Sequence, residues 1–595
     1  MSKTLRLRFV VAVIALAFLS SVSPLSAQSC SPWQWASPRP QGNALQGAAF
    51  GAGRFVAVGR AGAILSSVDG LTWTAEASNT ADELRDVAWS GSTFVAVGAG
   101  GSVHVSSDGQ AWGARLSGTT ANLNRVIWSG SRFVAVGDDG AIVTSPNGSD
   151  WVIRPSGIGF AFHDVAWSGH RFAAVGESGS VSYSADGIHW TTADSGTRDQ
   201  FNAVAWTGSR FVVGAIAFPY EPRTYTSVDG ASWRFTSGRV QDLRRLLWTG
   251  SSLVGVGLTG SIAAGSDGAS MESRDSGTPL DLLGLAQGPT GLAAVGARGT
   301  ILFSTDGVTW SDRAPGPRAA FSDAVSNGST LVAVGEAGQI ATSEDGETWT
   351  PRSSGTFRWL FGVAWDGSQF VAVGEAGTLL SSPDGITWTA HSGAQGQNVQ
   401  GIVWDGHRFL AVGSGGAVLT SVNGSSWTFA SAGPKVLNAI AWSGSEYVAV
   451  GGELTGWIVS SADGVSWTRR DSPGSLPPLY DVAWSGSEFL AVGAHGQIVR
   501  SADGVSWLEG SAGVDESLFS VAWTGGLFEA VGEDGTAAES VDGLGWSARV
   551  SGAAGDLYGA VWTGGRLFGL GKGGAILSGD CAAFGRRTQA IARTQ

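Results

Sequence analysis

An all-β propeller of about fourteen four-stranded repeats is predicted by three observations. The first is a period. An Asp-Gly or Asn-Gly pair recurs thirteen times, its first residue at Asp69, Asp108, Asn147, Asp186, Asp229, Asp267, Asp306, Asp345, Asp384, Asn423, Asp463, Asp503 and Asp542. The step is 39 residues in most cases, 43 into Asp229, 38 into Asp267, and 40 into Asp463 and Asp503. A fixed period near 40 marks a repeat architecture. The second is the content of one unit. In the second copy four short apolar runs, Leu84–Trp89, Thr93–Val97, Ser102–Ser106 and Ala111–Leu116, are separated by Gly-, Ser- and Asp-rich turns. Val, Phe, Ile, Trp and Thr in the runs and turn formers between them are the strand-and-hairpin pattern, and four strands per 40 residues is the size of a propeller blade. The third is tryptophan. The chain holds 27, with one closing the first run of most units (Trp89) and one opening the fourth (Trp112). Large flat rings at fixed places suit packing between blades.

Taken in order, residues 1–27 have a basic start (Lys3, Arg6, Arg8), an apolar run Phe9–Leu19 and a small-residue end Leu25-Ser26-Ala27. This reads as a secretory signal peptide, too short for a membrane span. Residues 30–43 look like a fourth strand without its first three, Trp35 aligning with the fourth-run Trp. Full units begin at Leu45. The last set, Leu557–Asp580, supplies three strands and stops. The orphan strand at one end fits the gap at the other, a closure that removes exposed sheet edges. Cys30 and Cys581, the two cysteines of the chain, sit at this junction and are expected to form a disulfide in an exported protein.

Fourteen sets divide into two seven-bladed rings, with one large ring as the alternative. Repeats six to eight are the most eroded, and Arg313-Ala-Pro-Gly-Pro-Arg318 reads as a linker. The expected domains are therefore 28–315 and 316–581, with 582–595 a frayed tail. A Cys30–Cys581 bond requires both termini to share a ring, or a single ring of fourteen, and the sequence leaves this open.

Composition excludes some functions. The net charge is −13, and loss of the three basic leader residues makes it −16. Such a chain repels nucleic-acid phosphates. Beyond the leader, lysine occurs at Lys435 and Lys572, which argues against a lysine nucleophile. The seven histidines are scattered, with no close pair at metal-ligand spacing, so neither metal nor cofactor is expected.

The fragments Ser106-Ser-Asp-Gly-Gln-Ala-Trp112, Ser184-Ala-Asp-Gly-Ile-His-Trp190 and Ser304-Thr-Asp-Gly-Val-Thr-Trp310 resemble the Asp-box, or bacterial neuraminidase repeat, one residue shorter between Asp and Gly. The chain from residue 28 on is similar to sialidase-superfamily propellers, in particular the photosystem II assembly factor type. The resemblance implies a propeller whose boxes lie on the face away from the functional one. It carries little about function, because this fold hosts hydrolases, assembly factors and binding proteins. The sialidase Arg-Ile-Pro motif is absent. Asp or Asn in the box is expected to accept backbone N–H bonds at a hairpin turn.

In propellers of this type the functional face carries the loops joining strands two to three and four to one. Candidate binding residues there are Asp138, Asp139 and Glu177 in two-to-three turns and Arg125 at a first-strand start, with Asp86, Asp164, Arg244, Arg245, Asp323 and Asp481 in the same position class. Glu336, Glu375, Glu533 and Asp534 are the corresponding turn acids of later units. One loop breaks the pattern: Ala215–Thr224 holds Phe218, Pro219, Tyr220, Glu221, Pro222 and Arg223, and departures from a regular scaffold are where binding concentrates. A milder departure is Gly452–Trp457.

The expectation is a secreted or periplasmic, monomeric, non-enzymatic propeller that binds a protein or glycan through its loop face, without nucleic acid or a membrane span. The alternative is a glycoside hydrolase acting on an extracellular polysaccharide with paired carboxylates.

Overall fold

The computed structural model describes residues 30–37, 41–237, 242–266, 271–314, 318–470 and 474–581. The expected leader, the tail and the marker Asp267 lie outside them. The described residues form fourteen four-stranded antiparallel sheets, thirteen of them built from consecutive strands. No helix among them is long and apolar enough to cross a membrane.

The sheets close into two rings of seven. In the first, the strand Leu45–Gly51 stands beside both Leu84–Trp89 and Leu282–Gly288, so the first and seventh blades meet. One core cluster spans that seam, with Phe55 and Trp73 from one blade and Val295 and Phe303 from the other. In the second ring Phe321–Ser326 stands beside Leu557–Trp562. The last strand of the first ring is Ser311–Asp312 and the first full strand of the second is Phe321–Ser326.

The fourteenth sheet settles where the termini go. Gln34–Ser37 pairs antiparallel with Ala575–Asp580 and completes the last blade of the second ring. The first ring is thus an insertion between the N-terminal strand and the rest of the second ring. This differs from the division that put everything from residue 28 to 315 in the first ring. Register also corrects the reading of Trp35. Gln34 pairs with Ser578 as Gly113 pairs with Val105, so Trp33 takes the place of Trp112. Trp33 is buried and belongs to the seam cluster with Cys30 and Cys581.

The closure is held several ways. Cys30 and Cys581 form a disulfide across 551 residues. Ser31 N donates to Asp580 O at 2.8 Å, and Asp580 N to Ser31 Oγ at 2.8 Å. Arg549 donates to the carbonyls of Cys30 (3.2 Å) and Ser31 (2.8 Å) and lies over the Trp33 ring at 5.8 Å. It also pairs with the buried carboxylate of Glu529 at 3.0 Å and with Glu539 at 3.5 Å.

Within a blade the second strand is the fully buried one, as in Phe94–Gly98. Its Phe meets the Trp that ends the first strand (Trp89–Phe94, 4.4 Å) and the Trp of the third-to-fourth turn (Phe94–Trp112, 6.2 Å). Each such buried ring contributes about 1.5–3 kcal/mol from area alone. The fourth strand starts later than expected, at Gly113 rather than Ala111, because Trp112 belongs to the turn. In that turn Asp108 Oδ1 accepts the N–H groups of Gln110 (2.9 Å) and Ala111 (3.1 Å), Ser106 Oγ accepts Gly109 N (2.8 Å), and Trp112 Nε1 donates to Gly109 O (3.1 Å). Asn147 accepts the same pair of bonds, from Ser149 and Asp150. Gly109 has φ 78°, and a Cβ there would stand 2.8 Å from Val56 of the preceding blade. The N–H bonds hold Asp108 below the usual carboxylate range. These turns are structural parts of the blade.

Candidate functional site

The loop face is shaped by a β-bulge in the first strand of each blade, seen for example between Leu84 and Asp86 and between Leu479 and Asp481. A bulge breaks strict alternation, so consecutive side chains aim the same way. The second and third residues of the first strand therefore both reach toward the next blade. Asn124 Nδ2 donates to Phe162 O (2.9 Å), and Asp86 Oδ2 accepts Val126 N (3.0 Å). The third residues line the hub of the ring and the second residues its mouth.

In the first ring the hub holds Asp86, Arg125, Asp164 and Arg245. Arg125 contacts Asp164 at 3.0 Å and Asp86 at 3.4 Å; Arg245 contacts the same two carboxylates at 3.8 and 3.5 Å. Asp86 and Asp164 are buried. Burial alone would lower the Arg125 pKa, but Asp164 and Asp86 outweigh it and raise it; burial and the like charge of Arg125 lower that of Arg245. The quartet is neutral and closes the hub. Above it lies a polar mouth of about 430 Å³ lined by Arg85, Asn124, Asp138, His163, Asn202 and Arg244 among others. Its acids are engaged: Asp138 accepts Asn122 (2.9 Å) and Asn124 (2.8 Å), and Glu83 pairs with Arg60 and Arg85, both at 3.1 Å.

The other sequence candidates are spread out. Asp139 is exposed at the left-handed position of its turn (φ 55°) and Glu177 is exposed in the next blade's turn. The Ala215–Thr224 segment is an extended hairpin, with strands Phe211–Ala217 and Glu221–Ser227 and a three-residue tip. At the tip Phe218 is 97% and Tyr220 89% exposed. At its base Arg223 pairs with Glu221 (2.6 Å) and Asp199 (3.1 Å). The structure thus brings Arg125 and Asp138 to one mouth and leaves the hairpin as a separate projection.

The second ring differs at both levels. Its hub positions are Asp323, Gly362, Gly401, Ala439, Asp481, Ser520 and Gly559. Asp323 accepts Val363 N (2.9 Å) and Ala324 N (2.8 Å); Asp481 accepts Ser520 Oγ (2.7 Å), Val521 N (2.9 Å) and Val482 N (2.8 Å). Among the described residues no arginine or lysine acts on either carboxylate. Burial pushes Asp323 up to about 7 and Asp481 up to about 6. Both are half-buried.

A carboxyl whose folded-state pKa is raised stabilises the fold when protonated. That contribution is full below about pH 4 and is lost as pH rises through about 6 to 7. The second ring is therefore expected to lose roughly 1–3 kcal/mol between pH 4 and 7.5, taking about 1.4 kcal/mol per unit and discounting for partial solvation. Denaturation midpoints across this range check it. Asp323→Asn should flatten the slope, whatever it costs in hydrogen bonding.

Around this hub the mouth is aromatic. Five half-buried rings form one chain: Phe361 on Trp359 (5.8 Å, stacked), Trp359 on Tyr558 (6.2 Å), Tyr558 on Phe519 (5.8 Å) and Phe519 on Tyr480 (5.5 Å). Trp359 Nε1 donates to Ser322 Oγ at 2.6 Å, which seats it across the neighbouring blade. Sequence reading missed this arc. Its signal was there: the residue after the leading apolar residue of the first strand is Phe or Tyr in four of the seven blades of the second ring (Phe361, Tyr480, Phe519 and Tyr558) and in none of the first, where it is Gln46, Arg85, Asn124, His163, Asn202, Arg244 and Leu283. The turn acids of this ring clamp backbone. Glu336 accepts Ala320 N (3.0 Å), Glu375 accepts Trp359 N (3.2 Å) and Glu533 accepts Ser517 N (3.3 Å).

The two loop faces meet. Asn43 donates to Gly552 O (2.7 Å) and accepts Ala554 N (2.8 Å). Beside this contact a cleft of about 750 Å³ is lined by Arg60, Thr80 and Glu83 of the first ring and Asp534, Arg549 and Ser551 of the second.

The chain is similar in structure to the GH74 xyloglucanase of Xanthomonas campestris, with a TM-score of 0.59, 13% identity, and coverage of 92% of this chain and all of that one. At that identity the likeness shows the fold alone, in agreement with the all-β propeller seen in the fourteen sheets of this chain. It is also similar to YCF48 in a structure with a bound D1 peptide, with a TM-score of 0.37 and 17% identity over 48% of this chain and 99% of that one. No family model and no curated protein matches the sequence.

Proposed function

We propose that this protein is an exported binding or scaffold protein that recognises a protein or glycan partner through its loop faces. The observation that carries the reading is the difference between what the loop-face acids and aromatics are doing. Glu83, Asp138, Glu336, Glu375 and Glu533 are spent on holding turns and neighbouring side chains. The aromatic arc offers a continuous run of half-buried rings around the hub. Half-exposed aromatic faces are favourable contact area for saccharides and peptides alike. The exposed tip Phe218–Tyr220, together with Asp139 and Glu177, forms the outer part of the proposed surface, while Arg125 holds the first hub rigid. The disulfide fits a secreted or periplasmic setting.

The rival is cleavage of an extracellular polysaccharide by two of these acids. Mature protein applied to panels of polysaccharides and peptides separates them, scored for retention and for new reducing ends. Retention without new ends is the expected result. Reducing ends that disappear in Glu336→Gln or Asp138→Asn would replace the binding reading with a hydrolase.

A further inference from the structure

We infer that the mouth of the second ring is a seat for a cationic side chain, lysine or arginine, presented by a peptide segment of the partner. The inference deepens the binding reading and rests on it.

Three features of the site carry it. The arc supplies ring faces, and a cation is attracted to the face of an aromatic ring. The strand that carries Tyr480 places Asp481 next in the hub, and the strand beginning Phe321-Ser322 places Asp323 there. Neither carboxylate has a basic partner among the described residues. Further acids act on the arc itself: Glu533 on Tyr480, and Asp556 and Glu336 on Tyr558. The nearby basic groups leave room for a guest. Lys572 is exposed and 3.9 Å from Asp556, and Arg358 is turned to the Ala376 carbonyl at 2.9 Å.

The first ring supplies an internal comparison. There the hub also contains two aspartates, and two arginines of the same chain neutralise them. In the second ring the corresponding class of positions, apart from Asp323 and Asp481, is Gly, Ala or Ser. Neither aspartate of this hub is answered by a basic side chain of the described residues, which leaves that role to a cation from outside. Lysine or arginine satisfies the aromatic faces and the carboxylates together, whereas a neutral sugar satisfies only the first. A chain of net charge −16 after the leader also steers a basic segment toward it.

The probe is a fluorescent peptide of alternating lysine and glycine, followed by anisotropy at physiological salt with the mature protein. Two matched peptides carry trimethyl-lysine or acetyl-lysine. Lysine and trimethyl-lysine are expected to bind alike, and acetyl-lysine at least tenfold more weakly. Tyr558→Ala and Asp481→Asn should each weaken the lysine peptide at least tenfold. Phe361→Leu keeps the apolar volume and removes the ring face, so it should weaken binding while leaving thermal unfolding unchanged. Glu272→Gln, an exposed acid on a fourth strand of the first ring, should leave binding unchanged. Equal binding of the acetylated peptide, or equal loss in Glu272→Gln and the second-ring variants, would overturn the inference and leave only general attraction to an acidic chain. If polysaccharide or neutral peptide is retained and the lysine peptide is not, the cation seat falls and the binding reading stands. If nothing is retained, both fall.

Discussion

Replacing Arg125 with methionine is expected to destabilise the first ring by roughly 3–5 kcal/mol, because it leaves buried carboxylates short of a counter-charge. Arg125 is the closer partner of both Asp164 (3.0 Å) and Asp86 (3.4 Å), and Arg245 holds the same pair only at 3.8 and 3.5 Å. Without Arg125 the hub carries two buried carboxylates against one guanidinium. The carboxylates also hold Val126 N and Val204 N of the neighbouring blades, so their reorganisation loosens blade-to-blade register. The effect should be confined. The second ring has its own hub and seam, so calorimetry should show one transition lowered and another unmoved. A change below about 1 kcal/mol would mean that solvent reaches the quartet and screens it as it does surface pairs.

The second large effect belongs to the closure. Cys30→Ser with Cys581→Ser is expected to cost the second ring about 2–4 kcal/mol. The chain-entropy formula for a loop of 551 residues gives more, on the order of 6 kcal/mol, but bridges usually deliver less than the formula. The strand stays tethered by its pairing with Ala575–Asp580 and by Arg549, which is why the ring should weaken without opening outright. Reductant should reproduce the variant. The first ring, closed by Leu45–Gly51 against Leu282–Gly288, borrows nothing from the termini and should not respond. An unchanged second transition would show that hydrogen bonds and Trp33 packing suffice to hold the N-terminal strand.

The architecture was legible in the sequence to the extent that it repeats. Period, strand content, the orphan strand and the cysteine pair all follow from residues whose job is the same in every blade. The turn marker was legible for the same reason, since Asp108 and Asn147 make the same bonds. What failed was register within the closing blade, where Ser31 and Cys30 replace the usual turn and Trp33 rather than Trp35 fills the tryptophan site. The allocation of rings was undetermined because closure depends on a contact between chain ends, which no local pattern encodes. The candidate site was half legible. Arg125 and Asp138 were found as charged exceptions at loop-face positions, but their pairing inside one mouth depends on the bulge that turns two consecutive residues the same way. The aromatic arc was hidden because Phe361, Tyr480, Phe519 and Tyr558 look like ordinary strand residues and are dispersed over about 200 residues of sequence. Only ring closure gathers them.

Amide hydrogen exchange on the mature protein, with and without a polymer that it retains, tests the central claim most directly. Recognition at the loop faces predicts slowed exchange at the two-to-three turns and first-strand starts, above all at 359–361, 480–481, 519–520 and 558–559. Slowed exchange confined to the Asp-Gly turns, such as 108–112 and 503–507, would place recognition on the opposite face and contradict the account.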